Sequence, residues 1–276
     1  MIISKVWAMY FSATGTTQKV VTGIADAIGH KLLAPREDFD FTLPRGRERR
    51  PVFHDGELVV FGTPVIAGRI PNVLLKFLDS MQGGGAIAIP VSVFGNRAYD
   101  DALIEARDIL ENRGFHTVAA AAFIGEHAFS RTLGGGRPDE KDMALVEAFA
   151  AQAAEKVAAL VSTAQLEPLQ VKGMPHPYRG YYQPRDAEGQ AVDLRKVTPV
   201  TNKKRCRDCG LCARICPVGS IDQEDPGKLN GICIKCCACI KKCPVRARSF
   251  DDPAFIYHRE ELEEEFVQRA EPEFFL

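Results

Sequence analysis

The chain has 276 residues, 46% of them hydrophobic, and a formal net charge of −1. That length accommodates two domains with at least one sizeable core, and the balanced charge gives no polyelectrolyte bias towards nucleic acid or membrane surfaces. No apolar run approaches the roughly 18 residues a bilayer-spanning helix needs.

The N-terminal MIISKVWAMYF has neither the charged n-region nor the cleavage site of a secretory leader and reads as a strand, so the expected location is the cytoplasm. From residue 1 to about 162, strands alternate with helices. KVWAMYF is a buried strand ending at the turn-like SATGTT, and Val20, Val21, Ile24, Ala27 and Ile28 then fall on one helix stripe. EDFDFTL (37–43) alternates as an edge strand does. ELVVFGTP (57–64) and AIAIPVSVFG (86–95) are two more buried strands, with helical NVLLKFLDSMQ between them. DALIEARDILENRG is a helix stopped at Gly114, HTVAAAAFIGEH a fifth strand, and PDEKDMALVEAFAAQAAEKVAALV a helix opened by Pro and acids. Five strands with helical crossovers predict a three-layer α/β domain around a parallel sheet.

Residues 163–199, rich in Pro, Gly and Tyr, read as a linker. A small cysteine-rich module spans 200–252, and 253–276 reads as an acidic helix and an apolar tail, with EELEEE as a solvated helix face. All nine cysteines lie between 206 and 243, which argues for metal ligation and against a disulfide scaffold. They form an internal repeat offset by 27 residues: CRDCGLCARICPVGSI (206–221) aligns with CIKCCACIKKCPVRAR (233–248). Each copy reads C-x2-C-x2-C-x3-C-P, the bacterial spacing for [4Fe–4S] ligation, in which the fourth cysteine serves the other cluster. One cluster is expected on Cys206, Cys209, Cys212 and Cys243, the second on Cys233, Cys236, Cys239 and Cys216. Zinc ribbons also use C-x2-C pairs, but they do not call for two quartets each closed by Cys-Pro. Cys237 lies outside the register and reads as a small buried hydrophobe. Residues 200–250 hold 11 Lys or Arg against 4 Asp or Glu. This excess offsets the negative cofactors, or leaves Lys203, Lys204, Lys241 and Lys242 to dock an acidic partner.

At the end of the first strand, Ser12, Thr14, Gly15, Thr16 and Thr17 open a helix with hydroxyls and backbone amides, an anion site in waiting. There is no G-x4-G-K-[ST] lysine and no GxGxxG, so a monophosphate such as that of flavin mononucleotide (FMN) suits it better than a nucleoside triphosphate or a dinucleotide. S-x-T-G-T-T in this position resembles the flavodoxin phosphate loop. With GTPVIAGRIPN (62–72), VFGNRAYDDAL (94–103), GEHAFS and the tandem cysteine motif, the chain resembles the fused flavodoxin–ferredoxin proteins called EFR-type ferredoxins.

That resemblance implies a flavodoxin-like five-stranded doubly wound parallel sheet, order 2-1-3-4-5, carrying a small α+β bacterial-type 2[4Fe–4S] ferredoxin domain. It also implies that Pro64, Val65, Ile66, Ala67, Gly68 and Arg69, with Gly95, Asn96, Arg97, Tyr99 and Asp100, embrace the flavin ring. Flavodoxins usually place an aromatic where this chain has Ile66, so one ring face is expected to be less covered, with Tyr99 stacking on the other. Arg69 or Arg97 is expected to stabilise a reduced, anionic flavin, and His127 to lie near the same rim. The implied function is electron transfer between FMN and two clusters and on to redox partner proteins, of ferredoxin, flavodoxin or oxidoreductase type, in anaerobic metabolism. The alternative is a flavin-dependent reductase of a small molecule with the clusters as its electron inlet. The sequence leaves the oligomeric state open, with a homodimer among the alternatives.

Overall fold

Short apolar strands alternate with helices because each strand must be buried on both faces and each helix offers one apolar stripe. In the computed structural model, which describes residues 1–163 and 166–276, these elements are β1 (Lys5–Tyr10), α1 (Thr16–Leu32), β2 (Arg36–Asp40), β3 (Glu57–Pro64), α2 (Leu75–Leu78), β4 (Ile87–Phe94), α3 (Ala102–Asn112), β5 (His116–Thr117), β6 (Ala120–Ile124) and α4 (Glu140–Ala159). The sheet runs β2-β1-β3-β4-β6, with all of these neighbours parallel. This is the expected 2-1-3-4-5 order, with the fifth strand in two pieces that both pair with β4. The break has a local cause: the Thr117 amide and hydroxyl both donate to the Glu111 carboxylate. One face of the sheet packs on α1 and α4 through Val20, Ile24, Val146 and Phe149. The other packs on α2 and α3 through Phe61, Phe77, Leu78 and Leu110.

The C-terminal segment differs from expectation. Its helix spans Pro253–Glu265 and is capped by Asp252, whose side chain accepts from the Phe255 amide. It buries Phe255, His258 and Leu262, while Glu260, Glu264 and Glu265 face solvent, as a solvated face requires. The expected apolar tail is a further strand, Glu273–Phe275, antiparallel to β6 at the sheet edge. Phe274 lies between Phe123 and Phe149, with ring centroids 5.4 and 5.1 Å away. Three residues are too few for strand alternation to be visible in sequence.

The linker is a strap. Asp101, whose side chain is fully buried, accepts from the Met174 amide and from the Arg179 amide and guanidinium. Burial alone would raise the Asp101 pKa, but these donors overcome it and hold the carboxyl below its ordinary value. The Tyr182 amide donates to the Ala67 carbonyl at 2.9 Å, bringing the strap across the loop after β3.

Asp101→Ala leaves the strap's amides and Arg179 without their acceptor. The expected loss is about 1–3 kcal/mol, with faster proteolysis within 163–199 than in the parent. Unchanged cleavage would show that the strap is held elsewhere.

Candidate functional site

The cysteine repeat is a structural duplication as well as a sequence one. The short helices α5 (Leu211–Arg214) and α6 (Ala238–Lys241) recur at the 27-residue offset. So do three left-handed backbone positions: Asp208 with Lys235, Gly210 with Cys237, and Gly219 with Arg246. The fourth thiols match as well, since Cys216 Sγ accepts from the Ser220 amide and Cys243 Sγ from the Ala247 amide. Cys237 therefore stands where the first copy has glycine, at φ 57° against 66° for Gly210. A left-handed cap before the helix turns the chain there, and any side chain at that position is conformationally strained.

Two cavities open in the module. One is lined by Cys216, Cys233, Cys236 and Cys239, with Ile221, Leu229 and Cys237 among their neighbours. The other is lined by Cys206, Cys209, Cys212 and Cys243, together with Ile215, Arg248 and the edge of Cys239. Each lining contains one of the expected quartets, with Cys237 added in the first and Cys239 in the second. The repeated C-x2-C-x2-C-x3-C-P spacing, not a pairwise one, is what suits these thiols to the corners of a cluster better than to one zinc ion. Burial pushes the Cys236 thiol up to about 12 and Cys239 to about 11; iron binding there must displace protons. Arg248, itself buried, donates to Thr201 and to the Pro226 and Pro199 carbonyls, and its Nε meets no acceptor. That leaves one donor spare beside the cysteines.

The first cavity is the inner one. Cys236, Ile234 and Ala238 from its wall join the core that contains Phe11 and Ala13 of the first loop. The second opens outward, and Cys209 is exposed. Lys241, expected among the docking lysines, is instead a clamp. Its ammonium donates to Glu126 Oε1, the His127 carbonyl and the Ser130 carbonyl at 2.5, 2.5 and 2.8 Å. Arg47 adds a second tie, bonding the Phe41, Thr42 and Pro217 carbonyls.

At the crest of the sheet, Gly15 precedes α1 at φ 108°, with open space where a Cβ would stand. Ser12 is buried, its hydroxyl accepting from the Gln18 amide and its own amide donating to Thr42 Oγ1. The first-turn amides at Thr16 and Thr17 have no intrahelical acceptor, which suits them to an anion. Thr63 and Ser92 face each other in register near the carboxyl ends of β3 and β4, with buried hydroxyls that lack partners.

The loops after β3 and β4 are brought together, though not as expected in detail. Pro64 ends β3, the Val65 amide donates to the Val93 carbonyl, and Ile66 and Arg69 close a tight turn through left-handed Ala67 and Gly68. A Cβ on Gly68 would meet Asp100 Oδ2 at 2.5 Å, so the two loops touch there. Gly95 is equally crowded, against the His127 ring. Arg69 is committed to buried Glu105 through two hydrogen bonds of 2.8 and 2.7 Å and lies 4.5 Å from the Tyr178 ring centroid. Arg97 pairs with Asp100 and lies 4.3 Å from the Tyr182 ring. Tyr99 does not project from its loop for stacking. It is buried with Phe94 and Leu103, its hydroxyl on Glu273, because the strap and C-terminal strand cover it. Asn96, also buried, reaches the carbonyls of Phe266 and Gln268 and accepts from the Ala270 amide. Tyr182 of the strap lies beside this loop, its amide on the Ala67 carbonyl and its ring against Arg97 and His258. The tyrosine-rich YRGYYQP run was its only trace in the sequence.

His127 lies beneath this rim. Burial, then Lys241, His258 and Arg97, lower its pKa to about 4. Its Nδ1 accepts from the Phe129 amide.

Geometry thus defines a doubly wound α/β domain fused to a duplicated cysteine module, a flavodoxin-like unit joined to a ferredoxin-type one. The family model described as "4Fe-4S binding domain" matches residues 199–222. Among solved structures, a flavodoxin from the domain Archaea is similar at 16% identity over 56% of this chain and 99% of its own, TM-score 0.41. A Streptococcus pneumoniae TIGR4 flavodoxin is similar at 18% over 56% and 98%, TM-score 0.39. The apo form of an NADH:FMN oxidoreductase is similar at 15% over 59% and 95%, TM-score 0.43. No curated protein matches the chain in sequence.

Two predictions rest on this geometry. Cys237→Gly removes a left-handed side chain whose strain is about 1 kcal/mol or more and is expected to leave iron per chain unchanged. Cys209→Ser is expected to lower it, and iron loss in Cys237→Gly would make Cys237 a ligand. Because the folded His127 pKa is depressed to about 4, the unfolded chain binds the extra proton first. Its contribution to stability is complete above the ordinary histidine pKa near 6.5 and is lost as pH falls towards 4. Histidine-resolved NMR should find the ring neutral at pH 6, and protonation there would refute the assignment.

Proposed function

We propose that this chain is an electron carrier linking FMN, seated at the carboxyl ends of β1, β3 and β4, to two [4Fe–4S] clusters on the cysteine repeat, and exchanging electrons with redox partner proteins. The observation that carries this reading is the sorting of eight cysteines into two quartets around two cavities, on a module packed against the crest of the sheet. When bound, the flavin supplies two-electron storage with one-electron exchange, and each cluster supplies a one-electron site.

The chain's own residues do the holding and placing. Ser12, Thr14, Gly15, Thr16 and Thr17 offer amides and hydroxyls to the phosphate, next to the positive end of α1. The 64–69 and 95–100 loops form the ring crevice, Glu105 and Asp100 fixing Arg69 and Arg97 in place. The first quartet of the repeat closes with Cys243 and the second with Cys216. Lys241 ties the module to the 126–130 loop, and Arg47 ties its Pro217 to residues 41–42 of the α/β domain.

A reductase would need room for a substrate on the flavin face left open at Ile66. The strap crosses the loop after β3, its Tyr182 amide on the Ala67 carbonyl and its ring stacked at 5.7 Å on His258, and this supports the carrier reading. No helix among the described residues is long and apolar enough to cross a membrane, and the unpaired thiols suit the reducing cytoplasm.

Anaerobic reconstitution should give one FMN and about eight irons per chain, and stepwise reduction should move electrons between flavin and iron–sulfur absorbance. About four irons would reduce the cluster count to one; cofactors that never exchange electrons would refute the carrier.

A further inference from the structure

The electrostatic surface of the module is lopsided, and the lopsidedness falls on the outer cavity. Arg205 and Arg207 flank Cys206, Lys242 precedes Cys243, and Lys203, Lys204 and Arg246 lie close by in the chain. All six are exposed, and among the described residues none forms an ion pair. Arg207 itself lines the cavity. Cys209, the exposed cysteine of that quartet, has its carbonyl covered by the Arg214 guanidinium. The one acid on this stretch, Asp208, accepts from the Cys206 thiol.

Compensation of cofactor charge does not account for these groups. A cation that offsets a buried charge must itself be close and desolvated to act at low dielectric. Arg248 meets that condition, being buried between the two cavities, and Lys235 is half-buried and bonded to the Cys233 carbonyl. The six rim residues are in water, where the high dielectric weakens their effect on the interior while they stay free to meet the charges of an approaching molecule, most strongly at low salt. Among the described residues no charged side chain lines the inner cavity, and its wall of Ile234, Cys236 and Ala238 joins the core of the α/β domain.

We infer that the rim of the outer cavity is the docking surface for a redox partner with an acidic face, so that electrons enter or leave the protein beside Cys206 and Cys209. This rests on the electron-carrier reading above. The partner's carboxylates would meet Lys203, Lys204, Arg205 and Arg207 in a solvated encounter, which governs association rate more than affinity. One electron passes per encounter from the reduced cluster of the outer quartet to the partner's oxidised centre, or in reverse, and no bond is made or broken.

The test uses two acceptors that differ only in charge: basic cytochrome c and the same protein with its lysines succinylated, which is acidic. Holoprotein reduced anaerobically and freed of reductant is mixed with each, and haem reduction is followed as salt is raised. The second-order rate constant with the acidic acceptor should fall at least about tenfold towards high salt. Lys203→Glu/Lys204→Glu should lower it about tenfold at low salt and speed the basic acceptor. Lys141→Glu, on exposed α4, should change neither.

Arg207→Glu should act like the lysine pair, and iron content and cluster EPR spectra establish that each variant is loaded. Salt-independent reduction of the acidic acceptor, or a lysine-pair variant that retains the parent rates with full iron, overturns the docking surface and leaves the carrier reading intact. Absence of cluster signals in the parent holoprotein overturns that reading instead. Self-association of the parent that disappears in the lysine pair would make the rim an interface between copies and also overturn the proposal.

Discussion

One ammonium group fixes how the two halves of this protein meet. A lysine has three N–H donors and no acceptor, and the Lys241 ammonium finds three oxygens in the 126–130 loop: the Glu126 carboxylate and the carbonyls of His127 and Ser130. A half-buried charge left without partners would cost several kcal/mol, so the loop and the cluster module are stable in this arrangement and penalised in others. Lys241 ends α6, two residues from Cys239 and two from Cys243. The contact that seats the module therefore also sets the position of ligands from both quartets relative to the sheet.

The rest of the chain reinforces the same junction. Residues 166–199 are tied down at Asp101, and the tail is tied down at Asn96 and Arg137 before ending as an edge strand on β6. Arg137 is buried against Asp142 and also bonds the Ala270 carbonyl. Asp142 completes the capping box that starts α4. Both straps converge on the 95–101 loop. In flavodoxin-like folds such crest loops form the ligand crevice, and here they are braced from behind by segments that come after the α/β domain in sequence. Loop conformations at functional sites need such bracing, since left-handed Ala67, Asn96 and Asp100 persist only where surroundings enforce them.

How much of this was legible in sequence follows from the range of each signal. The central parallel strands β1, β3, β4 and β6 are apolar runs of five to eight residues with helical stripes between them, so their existence and order could be read. The cysteine duplication was legible because a repeated C-x2-C-x2-C-x3-C-P spacing is local and chemically specific. The interruption between β5 and β6 depends on one carboxylate, Glu111, capturing Thr117 from the preceding helix, and no local pattern announces it. Long-range pairings were invisible: Tyr99 reads as an exposed loop aromatic until the tail, 174 residues away, brings Glu273 to its hydroxyl. Lys241 and Lys242 look identical in the sequence, yet one is a buried clamp and the other a solvated rim charge, because only the first faces the α/β domain.

The duplicated module shows how one local design acquires two ends. Its halves share helix positions, left-handed turns and amide-to-sulfur hydrogen bonds at a 27-residue offset, so their ligand loops are near copies. What differs is what lies outside the loops. The second copy packs Ile234, Cys236 and Ala238 against Phe11 and Ala13, and burial raises its thiol pKa values. The first copy turns Cys209 and a ring of unpaired cations to solvent. A site in a dry, low-dielectric setting resists added negative charge, whereas contact with water stabilises it. Burial alone therefore makes the two quartets electrostatically unequal, and the polarity runs from the sheet outward. The inequality needs no difference in ligands, only the asymmetric docking that Lys241 enforces.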